Sequence, residues 1–341
     1  MFRLFFDMQK TLIAGLSALV AGALVSGCGK SEDGGSERSY AFLTNGVASF
    51  WDICKVGAET AGKDLGVEVS VLMPDGVVQQ NQMLEDVVIR GVEGIAISPI
   101  DAENQVSAIN EAAAKTRLIT ADSDAPKSDR MFYLGMDNYE AGRMCGQLVK
   151  EALPDGGSVM IFMGRLEQDN AKGRRQGLID ELLDRDPDPT RFDPPGQVPK
   201  EGKYEILGTL TDQFDRVRGK QNVDDTLSAH PDLGCAVGLF VFNPPLILES
   251  LKSAGKLGQV KVVGFDEADE TLQGIIDGHV YGTLVQNPYE YGYQSIKVLD
   301  ALAKGDDSVI PENGFISVPA RMIRKDNVEE FWADLNQKLG K

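Results

Sequence analysis

The sequence predicts an α/β chain built as two doubly wound parallel-sheet lobes. Three observations carry this. Short apolar strands alternate with amphipathic helices from residue 40 onward, the rhythm of βαβ units and parallel sheets. The rhythm runs through two successive series, one for each lobe. The chain has 341 residues, too many for one ordinary small domain and suited to two.

In the first series, strands at 40–44, 67–73, 94–98 and 117–121 alternate with helices from about 50, at 77–90 and at 102–115. In the second, strands at 131–135, 158–163, 204–210, 235–240 and 260–265 alternate with helices at 139–152, 171–184, 216–229, 246–254 and 271–277. A strand at 281–285, a helix at 289–303 and a segment at 314–323 close the chain. The interval 184–203 breaks the rhythm. Pro187, Pro189, Pro194, Pro195 and Pro199 forbid regular structure there, so it reads as a long surface loop.

Residues 1–27 read as a signal peptide rather than part of this body. Arg3 and Lys10 give a weakly positive start, diluted by Asp7. The apolar run 11–25 is too short to span a bilayer comfortably. It ends in Val25-Ser26-Gly27-Cys28, which resembles a bacterial lipobox; that implies cleavage before Cys28 and lipidation of this residue as a membrane anchor. Residues 28–39 are Gly/Ser-rich and charged, a flexible tether.

The formal charge of −18 argues against nucleic acid, which demands basic surface, and fits a solvated body. Besides Cys28 there are Cys54, Cys145 and Cys235. An odd number cannot all pair internally, and their places in helix and strand patterns make them buried thiols. No strand is followed by Gly-x-Gly-x-x-Gly, and no Gly-x-x-x-x-Gly-Lys-Ser/Thr occurs, so neither pyrophosphate cradle is present. No Gly-x-Ser-x-Gly elbow occurs. The two histidines, His230 and His279, neighbour no Cys/His cluster, which argues against zinc. The sequence therefore points to no enzyme, no metal and no cofactor.

The ends of the strands carry a more telling set. Asn45, Phe50 and Trp51 follow the first strand; Asp122 ends the fourth. Asn170 and Lys172 open the helix after 158–163, and Phe214 precedes the next one. Phe240 and Asn243 follow another strand, Asp266 ends Val262-Val263-Gly264-Phe265, and Gln286 ends the strand at 281–285. Taken singly, each has a structural reading. Asp266, Asn170 and Asn243 suit helix N-caps, Phe50 and Phe214 suit hydrophobic staples, Asp122 suits a turn and Lys172 a solvated surface. Lys172 sits at the wrong end for the helix dipole, which hints at another duty. Taken together, aromatics, carboxylates, amides and one cation recur where open parallel sheets bind ligands, the composition of a polyol cleft.

These residues carry a resemblance to the type I periplasmic sugar-binding proteins, the ribose/galactose-binding-like solute receptors of ABC importers. It runs from about residue 40 to 325. Its pieces include Phe50-Trp51, Ile119-Thr120-Ala121-Asp122, Asp137-Asn138 before Gly142, Asn170-Ala171-Lys172-Gly173-Arg174 with Gly177, and Phe214-Asp215-Arg216. Ala229-His230-Pro231-Asp232, Ser253-Ala254-Gly255-Lys256, Val262-Val263-Gly264-Phe265-Asp266 and Gln286 two residues before Pro288 complete it.

The resemblance implies a three-crossover hinge near 136–138, 286–288 and 317–319. The lobes are then 40–136 plus 287–317, which takes back the last long helix, and 137–286 plus 318–341. It implies that Phe50, Trp51 and Phe214 line a sugar, and that Asp122, Asp266 and Gln286 bond its hydroxyls. Lys172, Ser123 and Phe240 stand where ribose receptors have Arg, Arg and Asn, with Asn243 three positions on, which points to another pentose, hexose or cyclitol. The partner it implies is an importer permease; a sensory kinase or chemoreceptor is the alternative.

Overall fold

The computed structural model describes residues 38–197 and 202–340. The leader, Cys28, most of the tether and Pro199 lie outside the described residues. In chain order the first series is β1 (Ser39–Leu43), α1 (Ser49–Leu65), β2 (Glu68–Leu72), α2 (Val77–Arg90), β3 (Gly94–Ile97), α3 (Val106–Ala113), β4 (Arg117–Ala121) and β5 (Tyr133–Gly135). The second is α4 (Asn138–Ala152), β6 (Gly157–Met163), α5 (Asp169–Leu182), β7 (Tyr204–Thr211), α6 (Arg216–Ala229) and β8 (Cys235–Gly238). It continues with α7 (Asn243–Ser253), β9 (Lys261–Phe265), α8 (Asp269–Ile276) and β10 (Gly282–Val285). Then come α9 (Pro288–Ala303), β11 (Phe315–Ser317), β12 (Arg321–Arg324) and α10 (Val328–Lys338).

Two six-stranded sheets result, in the orders β11-β5-β4-β3-β1-β2 and β12-β10-β9-β8-β6-β7. Within each, the first five strands follow the same winding, and only β12 runs antiparallel to its neighbour β10. The inner strands are buried along nearly their whole length, as expected where helices cover both faces of a parallel sheet. The chain passes between the sheets three times: from β5 into α4, from β10 into α9, and from β11 into β12.

One packing device is repeated. Helices α1 and α9 lie in contact over the first sheet, and a Cβ added at Gly57 or Gly292 would stand 2.0 Å from the carbonyl oxygen of Tyr289 or Cys54. Helices α4 and α5 do the same over the second, where a Cβ at Gly142 or Gly177 would meet Arg174 O at 2.1 Å or Tyr139 O at 2.0 Å. Only glycine allows such backbone approach.

The segment 314–323 divides between the two sheets as β11 and β12. Helix α10 was not anticipated, although Val328, Phe331 and Leu335 form a buried stripe at helical spacing. The proline-rich loop is irregular through residue 197, as its prolines require. It is pinned by ion pairs, Arg191 to Asp180 at 2.8 Å and Arg185 to Asp193 at 2.7 Å. Cys54, Cys145 and Cys235 are buried free thiols. Among the described residues no helix is long and apolar enough to cross a membrane.

Candidate functional site

In each sheet the strand order reverses beside its first strand, at β1/β3 and at β6/β8. The crevice outside such a reversal is where open α/β sheets take ligands. The loops there hold most of the candidate residues.

On the first sheet, a chain of hydrogen bonds fixes Asp122 at the end of β4. Ser98 Oγ donates to Asp122 Oδ2 at 2.8 Å, and Asn45 Nδ2 donates to the same oxygen at 3.3 Å. Asn45 is held in turn by Trp51, whose Nε1 donates to Asn45 Oδ1 at 3.1 Å. Gln80, fully buried, ties the ends of β1 and β3 together by donating to Thr44 O and Ser98 O, both at 2.7 Å. Burial pushes the Asp122 carboxyl up to about 6, against the opposing pull of Arg174 and Ser98.

On the second sheet, Asp266 ends β9. Gln286 Nε2 donates to Asp266 Oδ1 at 2.8 Å, and Tyr291 Oη donates to Gln286 Oε1 at 3.2 Å. Burial raises the Asp266 carboxyl above its ordinary range, again opposed by Arg174. Helix α8 starts three residues later with Ala268 at its cap position, so Asp266 does not cap it. Its carboxylate accepts from Gln286 and is steadied by the Val241 backbone N–H instead.

Arg174 is the cation that both carboxyls feel. It is 2% exposed. Its Nε donates to Asn138 Oδ1 at 2.9 Å, its Nη1 donates to Leu239 O at 3.2 Å, and its guanidinium lies 4.4 Å from the Phe265 ring centroid. Lys172, the cation singled out by sequence, stands two residues earlier on α5 and lines a cavity of about 660 Å³ with Asn170, Asp124, Asp137, Asn138 and the loop residues Pro189 to Phe192. Residues two apart on a helix point in nearly opposite directions, so only one of Lys172 and Arg174 can face the carboxyls. Arg174 shares the buried face with Ala171 and Leu178, at helical spacing, and that periodicity is the signal sequence reasoning missed.

The aromatics divide too. Phe50 and Trp51 are both more than nine-tenths buried. Trp51 turns toward Phe42 and Asn45, whereas Phe50 lines a cavity of about 500 Å³. Phe214 and Phe242 face that cavity from the other sheet, together with Glu267. Phe214 is 42% exposed and stands in a left-handed turn with Gln213, at φ 64° and 59°. Phe240 packs against Phe214 at 5.6 Å and Phe242 at 6.2 Å.

Asn243 and Asn170 are not helix caps. Asn243 is the first residue of α7, and its amide is spent internally: Nδ2 donates to Asp212 Oδ2 at 3.0 Å and Oδ1 accepts from Phe240 N at 3.1 Å. Asn170 lies inside α5, where Gln168 holds the cap position, and accepts from Ala171 N at 2.8 Å. Sequence reasoning also missed Asp212, buried and raised to about 6 by that burial, and Ser98, Gln80 and Glu267. Their signal was weak because polar residues at strand ends are common.

Among the described residues no cluster of three His, Cys, Asp or Glu could hold a metal ion. The arrangement offers carboxyl acceptors, amides in either sense and apolar ring faces. It can hold a ligand with hydroxyls on its edges and C–H groups on its faces.

The periplasmic binding protein domain model matches residues 40–307. The ribose import binding protein of Salmonella typhimurium is 26% identical over 262 residues, covering 75% of this chain and 81% of its own. The D-allose-binding periplasmic protein of Escherichia coli is 24% identical over 278 residues, covering 77% and 83%. Among solved structures, an ABC transporter solute binding protein from Burkholderia graminis, in complex with D-arabinose, is 29% identical. It superposes with a TM-score of 0.75 over 85% of this chain and 96% of its own. With both sheets, their winding and the domain match in agreement, this chain belongs to the periplasmic binding protein family.

Proposed function

We propose that this protein is an extracytoplasmic receptor that captures a monosaccharide or related polyol between two lobes and delivers it to an ABC importer permease. The lobes of this reading are residues 40–136 plus 287–317 and 137–286 plus 318–341. The observation that carries it is the pair Asp122 and Asp266, one buried carboxyl at a strand end of each sheet, each steadied by an amide, Asn45 or Gln286. Ring hydroxyls donate to these carboxyls. Phe50 and Phe214 cover the C–H faces, and Arg174 balances charge beneath.

Ligand contacts made by both sheets at once favour the closed arrangement by their differential affinity for it. The permease reads closure by touching both lobes. The ribose and D-allose relatives and the D-arabinose complex support a sugar as ligand. Val25-Ser26-Gly27-Cys28 supports anchoring of the mature chain through lipid on Cys28.

A thermal-shift panel of pentoses, hexoses and polyols tests the reading. One member at 100 times its dissociation constant adds about 2.7 kcal/mol of stability. A flat panel contradicts it. The mass of the membrane-extracted chain tests the anchor: a diacylglyceryl adduct on Cys28 is expected, and an unmodified Cys28 counts against it.

A further inference from the structure

Glu267 is the group in the cleft that the sugar-binding reading leaves unused. It is 8% exposed and lines the 500 Å³ cavity with Phe50, Phe214 and Phe242. Its Oε2 has no hydrogen-bond partner among the described residues. Burial, with the Asp266 charge beside it, pushes the Glu267 carboxyl well above its ordinary range, so the protein's own groups do not offset the cost of its charged form. None of the protein's own cations among the described residues hydrogen-bonds that idle oxygen. Arg174 bonds Asn138 and Leu239, Arg165 lies 5.2 Å from the Phe214 ring centroid, and Arg321, whose charge Glu267 feels, lies 5.1 Å from that of Phe331. Arg216 lines the same cavity, but so do Asp269 and Glu270.

A carboxyl beside phenyl faces is the chemistry that receives an ammonium group. The carboxylate supplies a charge-assisted hydrogen bond, and the rings offer their negative faces. We propose that Glu267 is a specificity-determining ligand contact that selects a cationic substituent, so that the preferred ligands are amino sugars or amino polyols. This rests on the sugar-binding reading and narrows it. Asp122 and Asp266 hold the hydroxyls of the ring, and Glu267 holds the nitrogen at the cavity between Phe50 and Phe242.

The test is calorimetric titration of the full mature chain at pH 7 with matched ligands: D-glucosamine against D-glucose, D-galactosamine against D-galactose, and D-glucuronate as the anionic control. The amino member of at least one pair is expected to bind ten or more times tighter than its neutral partner. Glu267→Gln should abolish that advantage and leave the neutral member within about twofold. Equal affinities within each pair, a preference for glucuronate, or a preference that survives in Glu267→Gln overturns the proposal, while binding of any neutral sugar leaves the sugar-binding reading standing. No binding by any carbohydrate overturns both. If Glu267→Gln does not fold, the wild-type comparison within pairs decides alone.

Discussion

Asp122 and Asp266 are one structural solution used twice. Each ends the fourth strand of its series in left-handed backbone, at φ 65° and 64°. Each donates its N–H to a leucine carbonyl on the next strand, Leu134 O at 3.1 Å and Leu284 O at 2.7 Å. Each offers its own carbonyl to a neighbouring hydroxyl, Tyr133 Oη at 2.8 Å and Thr283 Oγ1 at 2.8 Å. The two sheets thus aim two carboxyls from equivalent places, and the left-handed turn lifts each side chain off its strand.

That backbone sets the first prediction. Asp and Asn tolerate left-handed φ, whereas a β-branched residue does not. Asp266→Asn should fold with near-native stability. Asp266→Val should lose about 2 kcal/mol or more in urea unfolding. Equal stability of the two would mean that the turn is not constrained.

Arg174 and Lys172 can be separated by substitution. Removing a buried guanidinium leaves Asp122 and Asp266 without compensation, so Arg174→Met should cost about 3–5 kcal/mol and abolish ligand binding. Lys172→Ala, with its half-buried side chain in the other cavity, should stay within about 0.5 kcal/mol of wild type. Ligand-induced thermal shifts of both variants check this, and loss of binding in Lys172→Ala alone would make the lysine, rather than Arg174, the ligand's cation.

Asp122 makes stability depend on pH in a predictable sense. Its carboxyl titrates near 6 in the folded chain because it is buried, and about two units lower when unfolded. The folded state therefore holds the extra proton between those values. This contribution is fully present below the unfolded value and is lost as pH rises through about 6. Wild type should accordingly gain about 1 kcal/mol relative to Asp122→Asn when pH falls from 7.5 to 5. Parallel unfolding curves for the two proteins across that range would contradict it.

The paired glycines predict a coupling of packing to site. Gly177→Ala pushes a methyl into Tyr139 O and forces α5 away from α4, which carries Arg174 off its place over Phe265. A loss of about 2–4 kcal/mol and weakened ligand binding are expected together. Gly305→Ala, at a surface turn with nothing within 4 Å, serves as a comparison that costs only backbone strain at φ 84°.

Periodicity made the two series legible. Buried parallel strands are uniformly apolar and their helices amphipathic, so element type follows from local sequence. The carboxyl ends of the strands were legible for the same reason, and Asp122, Asp266 and Gln286 were found there. Side-chain direction was not. Lys172 and Arg174 differ by two residues, Phe50 and Trp51 by one, and which of each pair faces the cleft is set by the rotation of a helix packed on its neighbour. Asn243 and Asp212 recognise each other across 31 residues, a contact that no local pattern encodes. The division of 314–323 between sheets is likewise a matter of topology, since both halves are short and ordinary.

In the proposed function one sugar is held between Asp122 and Asp266. Calorimetric binding of the sugar that stabilises the wild type, repeated on Asp122→Ala and Asp266→Ala with folding verified by circular dichroism, tests it most directly. Each variant should bind at least 100-fold more weakly, the order expected on losing a charged hydrogen-bond acceptor in a buried site. Wild-type affinity in a folded Asp266→Ala protein would contradict the account.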